Sequence, residues 1–555
     1  MRVRSEVSAQ KLRGGFYTPA SLVEFSLKRL LPLVPPEGEL SVLEPSAGDG
    51  AFVEGIAAFP AFFNRISEVV AIEPNELEAR KCQRALAQAS LAGQVAMNSA
   101  VHWSARSDAE FDVAVGNPPF VRYQFASKAD KADIARLGKR LDVSFAGVSN
   151  LWIPVMMAAL SRLRPGGVFA FVVPTELLTG LAASRLRQWT ATEFEQVRLD
   201  LFEPGSFPEV LQEVGVFSGR RVGEGSSATH ALTISEHDCE GTEQRWDHEV
   251  DPEQPNWTRY LLSRDQLYAL DEALAADAVQ PLGDLARFQV SIVTGANDFF
   301  SISEEDRQAF ELGAWTRPLL PRIRHAPGLI YDSEDQAKAL EIGSRAWLLD
   351  FSEQAGDPME HEGAAEYLRS GKDRRLHKRY KCRIRKPWYR VPHIERGSLM
   401  LSKRSHRFPR VIVNEAAAYT TDTIYRGEPL DKSGVSARAI SASFHSSLTL
   451  LTAELEGRSF GGGVLELVPS EIERLAVAFT PDAADWIDNL DSALRTEDEE
   501  NLVKETDASL AHAGVLSAEL LETLSGARLE LLDRRLARNR RSVPPPEELE
   551  ELQAA

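Results

Sequence analysis

A stiff, polar-then-aromatic tetrapeptide, Asn117-Pro118-Pro119-Phe120, directly follows the apolar run of FDVAVGNPPFVRYQ (111–124). Two prolines restrict the backbone and remove N–H donors, which leaves carbonyls facing outward. Asn117 offers an amide oxygen, Pro118 a carbonyl oxygen and Phe120 a flat apolar face. Two acceptors beside a ring suit an exocyclic amino group on an aromatic base: the acceptors take its N–H groups and the ring stacks on the base.

A second constellation lies in VLEPSAGDGAFVEGIA (42–57), where an acid, a glycine-bearing turn and a helix start follow an apolar run. Gly48 and Gly50 permit a sharp turn and a close backbone approach to a ligand, and the following helix supplies free N–H groups. The spacing matches neither the dinucleotide fingerprint nor the phosphate loop, so a small cofactor that is not held by phosphates fits better. An ordinary strand-to-helix turn is the competing reading. About 25 residues on, VVAIEPNELEARKC (69–82) ends its apolar run at Glu73, an acid placed to accept hydrogen bonds from both hydroxyls of a ribose. The alternative is a plain helix cap at Asn75.

These residues need a sheet edge to hold them. Six short apolar runs, SVLE (41–44), EVVAIE (68–73), QVAMN (94–98), DVAVG (112–116), VFAFVV (168–173) and QVRLDL (196–201), predict strands. They alternate with helical patterns such as 76–91 and 151–163, which predicts a doubly wound, mostly parallel α/β sheet. The polar stretch from Ser218 to Trp257 reads as an exposed connection. Three parts are expected: a catalytic domain over 1–245, a mixed α+β region over 246–470, and a Leu- and Ala-rich helical segment with a frayed tail over 471–555.

The chain has 555 residues and a net charge of −19, which on its face argues against a nucleic-acid partner. The charge is unevenly spread. Sixteen Lys or Arg against Asp373 and Glu395 make 369–410 a locally basic stretch, with Tyr380, Trp388, Tyr389 and Phe408 interleaved. Cations and aromatics together suit a phosphate backbone and exposed base faces. A solvated face docked on the acidic remainder is the competing reading. Three dispersed cysteines show no metal-ligand spacing, so no metal is expected. Apolar runs are too short to span a membrane and no signal peptide is evident, which predicts a cytoplasmic protein without a membrane partner.

In this order the motifs resemble the S-adenosylmethionine-dependent DNA adenine-N6 methyltransferases of restriction-modification type, with NPP[FY] after the cofactor motifs and target recognition toward the C-terminus. The resemblance is carried by GGFYTPASLVEFSL (14–27), EPSAGDG (44–50), IEPN (72–75), NPPF (117–120), SNLWIPVMMAAL (149–160) and LRPGGVFAFVVPTELL (163–178). Beyond these, VSIVTGANDFF (290–300), KCRIRKPWYRVP (381–392) and FGGGVLELVP (460–469) are similar to the recognition half. It implies a class I, Rossmann-like methyltransferase fold. Asn117, Pro118, Pro119 and Phe120 would grip a flipped adenine, with Phe207 packing on it from a second side or else serving the core. Thr18, Glu44, Pro45, Ala47, Gly48, Asp49, Gly50 and Glu73 would surround S-adenosylmethionine. Double-stranded DNA is the implied partner, met by Arg379, Lys381, Arg383, Arg385, Lys386, Trp388, Tyr389 and Arg390, and the protein is expected to act as a monomer.

In one respect the sequence departs from the family. An acid that contacts the cofactor's adenine usually follows the third strand, whereas MNSAVHW (97–103) offers Ser99 or Ala100 there. Ser99, Asn98 and Asp108 are the candidate substitutes. No Pro-Cys dipeptide is present to serve cytosine-C5 chemistry, and no lysine follows an acid at the ExK nuclease spacing, so cleavage would fall to a separate restriction endonuclease. Methylation of RNA adenine or protein glutamine, or a DNA-recognition protein with a silent methyltransferase fold, are the alternative readings.

Overall fold

The computed structural model describes residues 18–540 apart from 204–205, 208–213, 239–240, 255, 353–355, 433, 461–462 and 497. The chain divides into two compact units, one ending at Arg264 and the other spanning Asp265–Val543.

The first unit is built on a nine-stranded sheet. Its strands are β1 (Leu40–Glu44), β2 (Ile66–Ile72), β3 (Gly93–Ala96), β4 (Phe111–Gly116), β5 (Leu163–Pro174), β6 (Phe194–Phe202), β7 (Val214–Arg221), β8 (Ala231–His237) and β9 (Glu243–Glu249), in spatial order 3-2-1-4-5-7-6-8-9. Strands β1 to β5 are mutually parallel, β7 runs antiparallel between β5 and β6, and β9 closes the edge as a hairpin partner of β8. All five residues of β1 are buried, as a central strand covered on both faces requires. The helices that matter to the site are α1 (Ala20–Leu30), α2 (Ala51–Ala57), α3 (Glu76–Ala89), α4 (Ala100–Ser104), α5 (Lys128–Leu141) and α6 (Trp152–Leu160). One core cluster joins α1, α2 and α3 to the sheet through Leu22, Leu27, Phe52, Val53, Cys82 and Leu86.

The six apolar runs all fold as strands. The stretch 218–257 does not behave as a connection: β8, β9 and the end of β7 lie in it and extend the same sheet, so the compact unit ends at Arg264, beyond the expected boundary at 245. These strands are tied in by charge. Buried Asp200 on β6 takes a two-pronged hydrogen bond from Arg29 of α1 and also bonds Arg198 and His237, while Arg198 reaches Glu243 of β9. Asp200, His237 and Glu243 lie close enough to share an ion. Two guanidiniums already fill that role.

The second unit holds a five-stranded sheet of β10 (Ala286–Val290), β11 (Ile330–Tyr331), β12 (Leu399–Ser402), β13 (Val411–Asn414) and β14 (Ile424–Pro429), in the order 10-14-12-13-11, with smaller sheets beside it. The helical segment after 470 is not a separate part. Leu490, Leu494, Leu502 and Val503 share one core with Leu399, Val411 and Tyr425, because helices with one apolar face must bury it against a neighbour. The expected frayed tail lies outside the described residues. No helix among the described residues is long and apolar enough to cross a membrane.

Candidate active site and nucleic-acid interface

Two loops meet at the carboxyl edge of the first sheet. The loop after β1 turns through Gly48 (φ +54°) and Gly50 (φ +101°), both in the left-handed region that favours glycine. Gly50 is doubly constrained: a Cβ there would stand 3.0 Å from Ala85 Cβ and 3.1 Å from Cys82 Cα on α3. Glu73 fastens this loop to the end of β2, accepting the Gly48 N–H at 3.0 Å and the Asn75 N–H at 2.7 Å. Asn75 does cap α3, taking the N–H groups of Leu77 and Glu78, so the cap and the acid are separate features side by side.

Glu44 is 2% exposed, and its Oε2 is buried with no hydrogen-bond partner among the described residues. Burial pushes its carboxyl well above the usual range, and the negative charges of Asp49 and Glu73 add to this. Burial likewise raises Asp49 and Glu73, although two backbone N–H groups work against the rise at Glu73. Three crowded carboxylates, with no described cation bonded to Glu44 or Glu73, favour a small positive ligand, which would stabilise all three ionised forms.

The second loop, after β4, carries Asn117 to Phe120. The Asn117 side-chain amide donates from Nδ2 to Thr18 Oγ1 at 3.1 Å. Its Oδ1 is buried and without a partner among the described residues. The Ser46 hydroxyl donates to the Asn117 carbonyl at 3.0 Å, so the glycine loop holds the NPPF loop directly. Farther along, Val121 N–H bonds the Pro119 carbonyl, and Tyr123 and Leu151 N–H groups bond the carbonyls of Ser149 and Val121, bracing the loop on the lead-in to α6. Phe120 and Phe207 both pack against the core of this unit; Phe207 meets Phe202 edge-on at 4.9 Å.

The structure thus brings Thr18, Ser46 and Asn117 together, and the glycine loop with Glu73. The role of Ser46 is not evident from the sequence, although it lies inside EPSAGDG between Pro45 and Ala47, both expected at the cofactor. Of the substitutes for the missing acid, Asp108 is displaced: it is fully exposed, 4.0 Å from Arg162 and just ahead of β4, at the opposite end of the strands from the glycine loop. Asn98 is used locally, its Oδ1 accepting the Ser99 N–H at 3.1 Å.

In the second unit the basic stretch splits in two. Lys378, Arg379, Lys381, Arg383 and Lys386 are exposed and form no ion pair among the described residues, with Tyr380 (65% exposed) set between them. Arg404 instead bonds Glu466, Arg407 bonds Glu500, and buried Arg410 donates to the carbonyls of Ile323 and Ala326. Three of the expected DNA-contacting residues are placed otherwise. Trp388 lies in the core against Phe299 and Phe300, Tyr389 packs edge-on to Phe351, and the Arg385 guanidinium bonds the carbonyls of Val293 and Thr294. Arg390 is half-buried and lines a cavity of about 640 Å³ with Arg317, Lys386, His393 and Tyr419.

The strand order with its reversed seventh strand, and the acid-and-glycine loop on its carboxyl edge, define a class I methyltransferase unit. A family model described as Eco57I restriction-modification methylase matches residues 63–202, and one described as the C-terminal domain of the type II methyltransferase M.Eco57I matches 254–511. The chain is 24% identical over 476 residues to the type II methyltransferase M.XamI of Xanthomonas campestris pv. amaranthicola, covering 84% of this chain and 85% of that one. To the type II methyltransferase M.AccI of Acinetobacter calcoaceticus it is 18% identical, over 66% of this chain and 68% of the relative. Among solved structures, DrdV in a DNA complex aligns with a TM-score of 0.46 at 13% identity, over 87% of this chain and 57% of that one. The type IIG restriction endonuclease BpuSI aligns with a TM-score of 0.41 at 17% identity, over 94% of this chain and 66% of the other. The chain is a methyltransferase of the restriction-modification type. Its family implies S-adenosylmethionine as the methyl donor, and the acid cluster suits that molecule's sulfonium and ammonium charges.

Proposed function

We propose that this methyltransferase modifies the N6 amino group of an adenine flipped out of a specific double-stranded DNA site, as the modification part of a restriction-modification or related defence system in the cytoplasm. The observation that carries the reading is Asn117 Oδ1, a buried acceptor without a described protein partner on an amide whose other end is held by Thr18. A buried acceptor left unpaired costs about 1 to 3 kcal/mol, so its retention points to a ligand N–H.

The N6 lone pair of adenine is delocalised into the ring. Asn117 Oδ1 and the Pro118 carbonyl, each accepting one N6 hydrogen, favour a pyramidal nitrogen with its lone pair free. S-adenosylmethionine supplies an electrophilic methyl group for direct displacement. The chain's part is to hold the amine, through acceptors already set by Thr18 and Ser46, and to stabilise positive charge as it develops on nitrogen. Phe120 stacks on the base, and Phe207 bounds it from a second side. Unstacking costs a few kcal/mol, offset by that stacking.

The exposed arm from Lys378 to Lys386 supplies phosphate contacts, and Tyr380, exposed with Lys381 Nζ 5.9 Å from its ring centroid, is placed to meet a base. Membership of a restriction-modification methylase family fits a DNA substrate. Purified protein with tritiated S-adenosylmethionine is expected to label DNA adenine, and Asn117→Ala is expected to lower transfer by at least a thousandfold while DNA binding persists. Label in RNA or in protein glutamine, or unchanged transfer by the variant, overturns the assignment.

A further inference from the structure

The end of β3 lacks the acid that the family places against the cofactor's adenine, and the structure shows where a carboxylate returns. The Glu73 N–H donates to the Ala96 carbonyl at 3.1 Å, so the chain leaving β3 emerges beside the proposed ribose acid. Ser99 follows at once and caps α4. Its hydroxyl donates to Asp130 Oδ1 at 2.7 Å, across 31 residues of chain. Asp130 sits in the first turn of α5, where the Ser127 hydroxyl bonds its second oxygen at 2.6 Å and accepts its N–H at 3.0 Å.

A comparison within α5 separates Asp130 from an ordinary structural acid. Asp133, one turn on, is 2% exposed and saturated by His102, Arg106 and Arg136. Asp130 is only half-buried, and among the described residues no cation pairs with it. Both of its partners are neutral hydroxyls, and each carboxylate oxygen keeps an acceptor site after taking one. A ribose gripped by Glu73, with the methionine end over the glycine loop, sends its base along the sheet edge toward β3. There the amino group of adenine needs an acceptor.

We infer that Asp130, held in place through Ser99, accepts the exocyclic amino group of the cofactor's adenine, so that the acid missing after β3 is supplied by the helix following the NPPF loop. This rests on the reading of Glu44, Glu73 and the glycine loop as the S-adenosylmethionine site.

Two ligands test it by calorimetry on the full chain: S-adenosylhomocysteine, and its purine counterpart lacking only the amino group. The unmodified protein is expected to prefer the first by roughly ten- to hundredfold, the range of a hydrogen bond to a charged group. Asp130→Ala and Asp130→Asn are expected to erase most of that preference while leaving affinity for the purine analogue within about twofold. Ser99→Ala is expected to erase part of it. Equal loss for both ligands makes Asp130 merely structural and overturns the inference, as does an unchanged preference in both Asp130 variants. Glu73→Ala, which removes a contact common to the two ligands, separates the readings: if the unmodified chain binds neither ligand, or Glu73→Ala binds both normally, the cofactor site itself is wrong and this inference fails with it.

Discussion

Each unit gathers charge of one sign, and the two do so in opposite ways. In the first, Glu44, Asp49 and Glu73 are packed into one loop region, and Glu44 is almost wholly out of water. In the second, Lys378, Arg379, Lys381, Arg383 and Lys386 spread over an exposed surface and form no ion pair among the described residues. A desolvated carboxyl in a small volume either keeps its proton or is completed by a ligand of opposite sign, whereas dispersed surface charge costs little and acts on an extended polyanion. On the proposed reading the contrast separates a pocket for a compact cation from a face for a nucleic-acid backbone, and it can be broken at either end.

Of the two ends, the larger effect is expected at Glu44. Its folded pKa is raised, so between the ordinary value of 4.5 and the raised one the folded protein holds a proton that the unfolded chain has lost. Stability contributed by this group is therefore lost as pH rises through that window. Glu44→Gln is expected to raise the melting temperature of the cofactor-free protein at neutral pH by about 2 to 4 °C, an advantage that vanishes below the ordinary carboxylate range. The same change is expected to weaken S-adenosylmethionine binding by roughly ten- to hundredfold, since it removes a charged partner. In the unmodified protein, affinity should increase with pH across the window, because the cation favours ionised Glu44. Calorimetry at several pH values checks both signs; a variant that binds normally would show the acid cluster to be structural.

How much of this is legible in the sequence depends on the range of the interaction. The central strands β1, β4 and β5 are visible as apolar runs because burial on both faces leaves little choice of residue, whereas β3 is a short edge strand with no fully buried residue. Strands β8 and β9 are hidden: EQRWDHE is an edge strand exposed along most of its length, and its polar residues look like a loop. NPPF and the glycine loop are legible because their chemistry is local. The pairing of Ser99 with Asp130 is not, since it is made only when α4 and α5 fold side by side, and the sole local sign is the Ser127 cap. Trp388 misleads for a related reason. Composition shows an aromatic among arginines, but not that its ring faces the core while Tyr380 faces out.

A smaller effect sharpens the other end of the comparison. Replacing Lys378, Arg379, Lys381 and Arg383 together by Ala is expected to weaken DNA binding at least tenfold near physiological salt. The plot of log affinity against log salt should become less steep by roughly 3 to 4, in line with about 0.9 for each phosphate no longer neutralised. Methyl-donor binding should not change, because the proposed cofactor site lies wholly within the first unit. A slope identical to that of the unmodified protein would remove this arm from the interface.

The smallest effect is expected where the basic stretch is already neutralised. Arg404 and Arg407 count toward the same run of cations in the sequence, yet each bonds a carboxylate of its own unit, Glu466 and Glu500. Both glutamates keep a second cation when these arginines are removed, Lys403 for one and Arg528 for the other. Partly exposed pairs of this kind contribute at most about 1 kcal/mol. Arg404→Ala with Arg407→Ala is therefore expected to lower stability slightly and to leave the salt slope of DNA binding within error. Were this pair instead to flatten the slope as much as the quadruple variant does, the ion pairs would have to open on DNA, and charge pairing within the unit would no longer distinguish the arm that meets phosphate from the arm that does not.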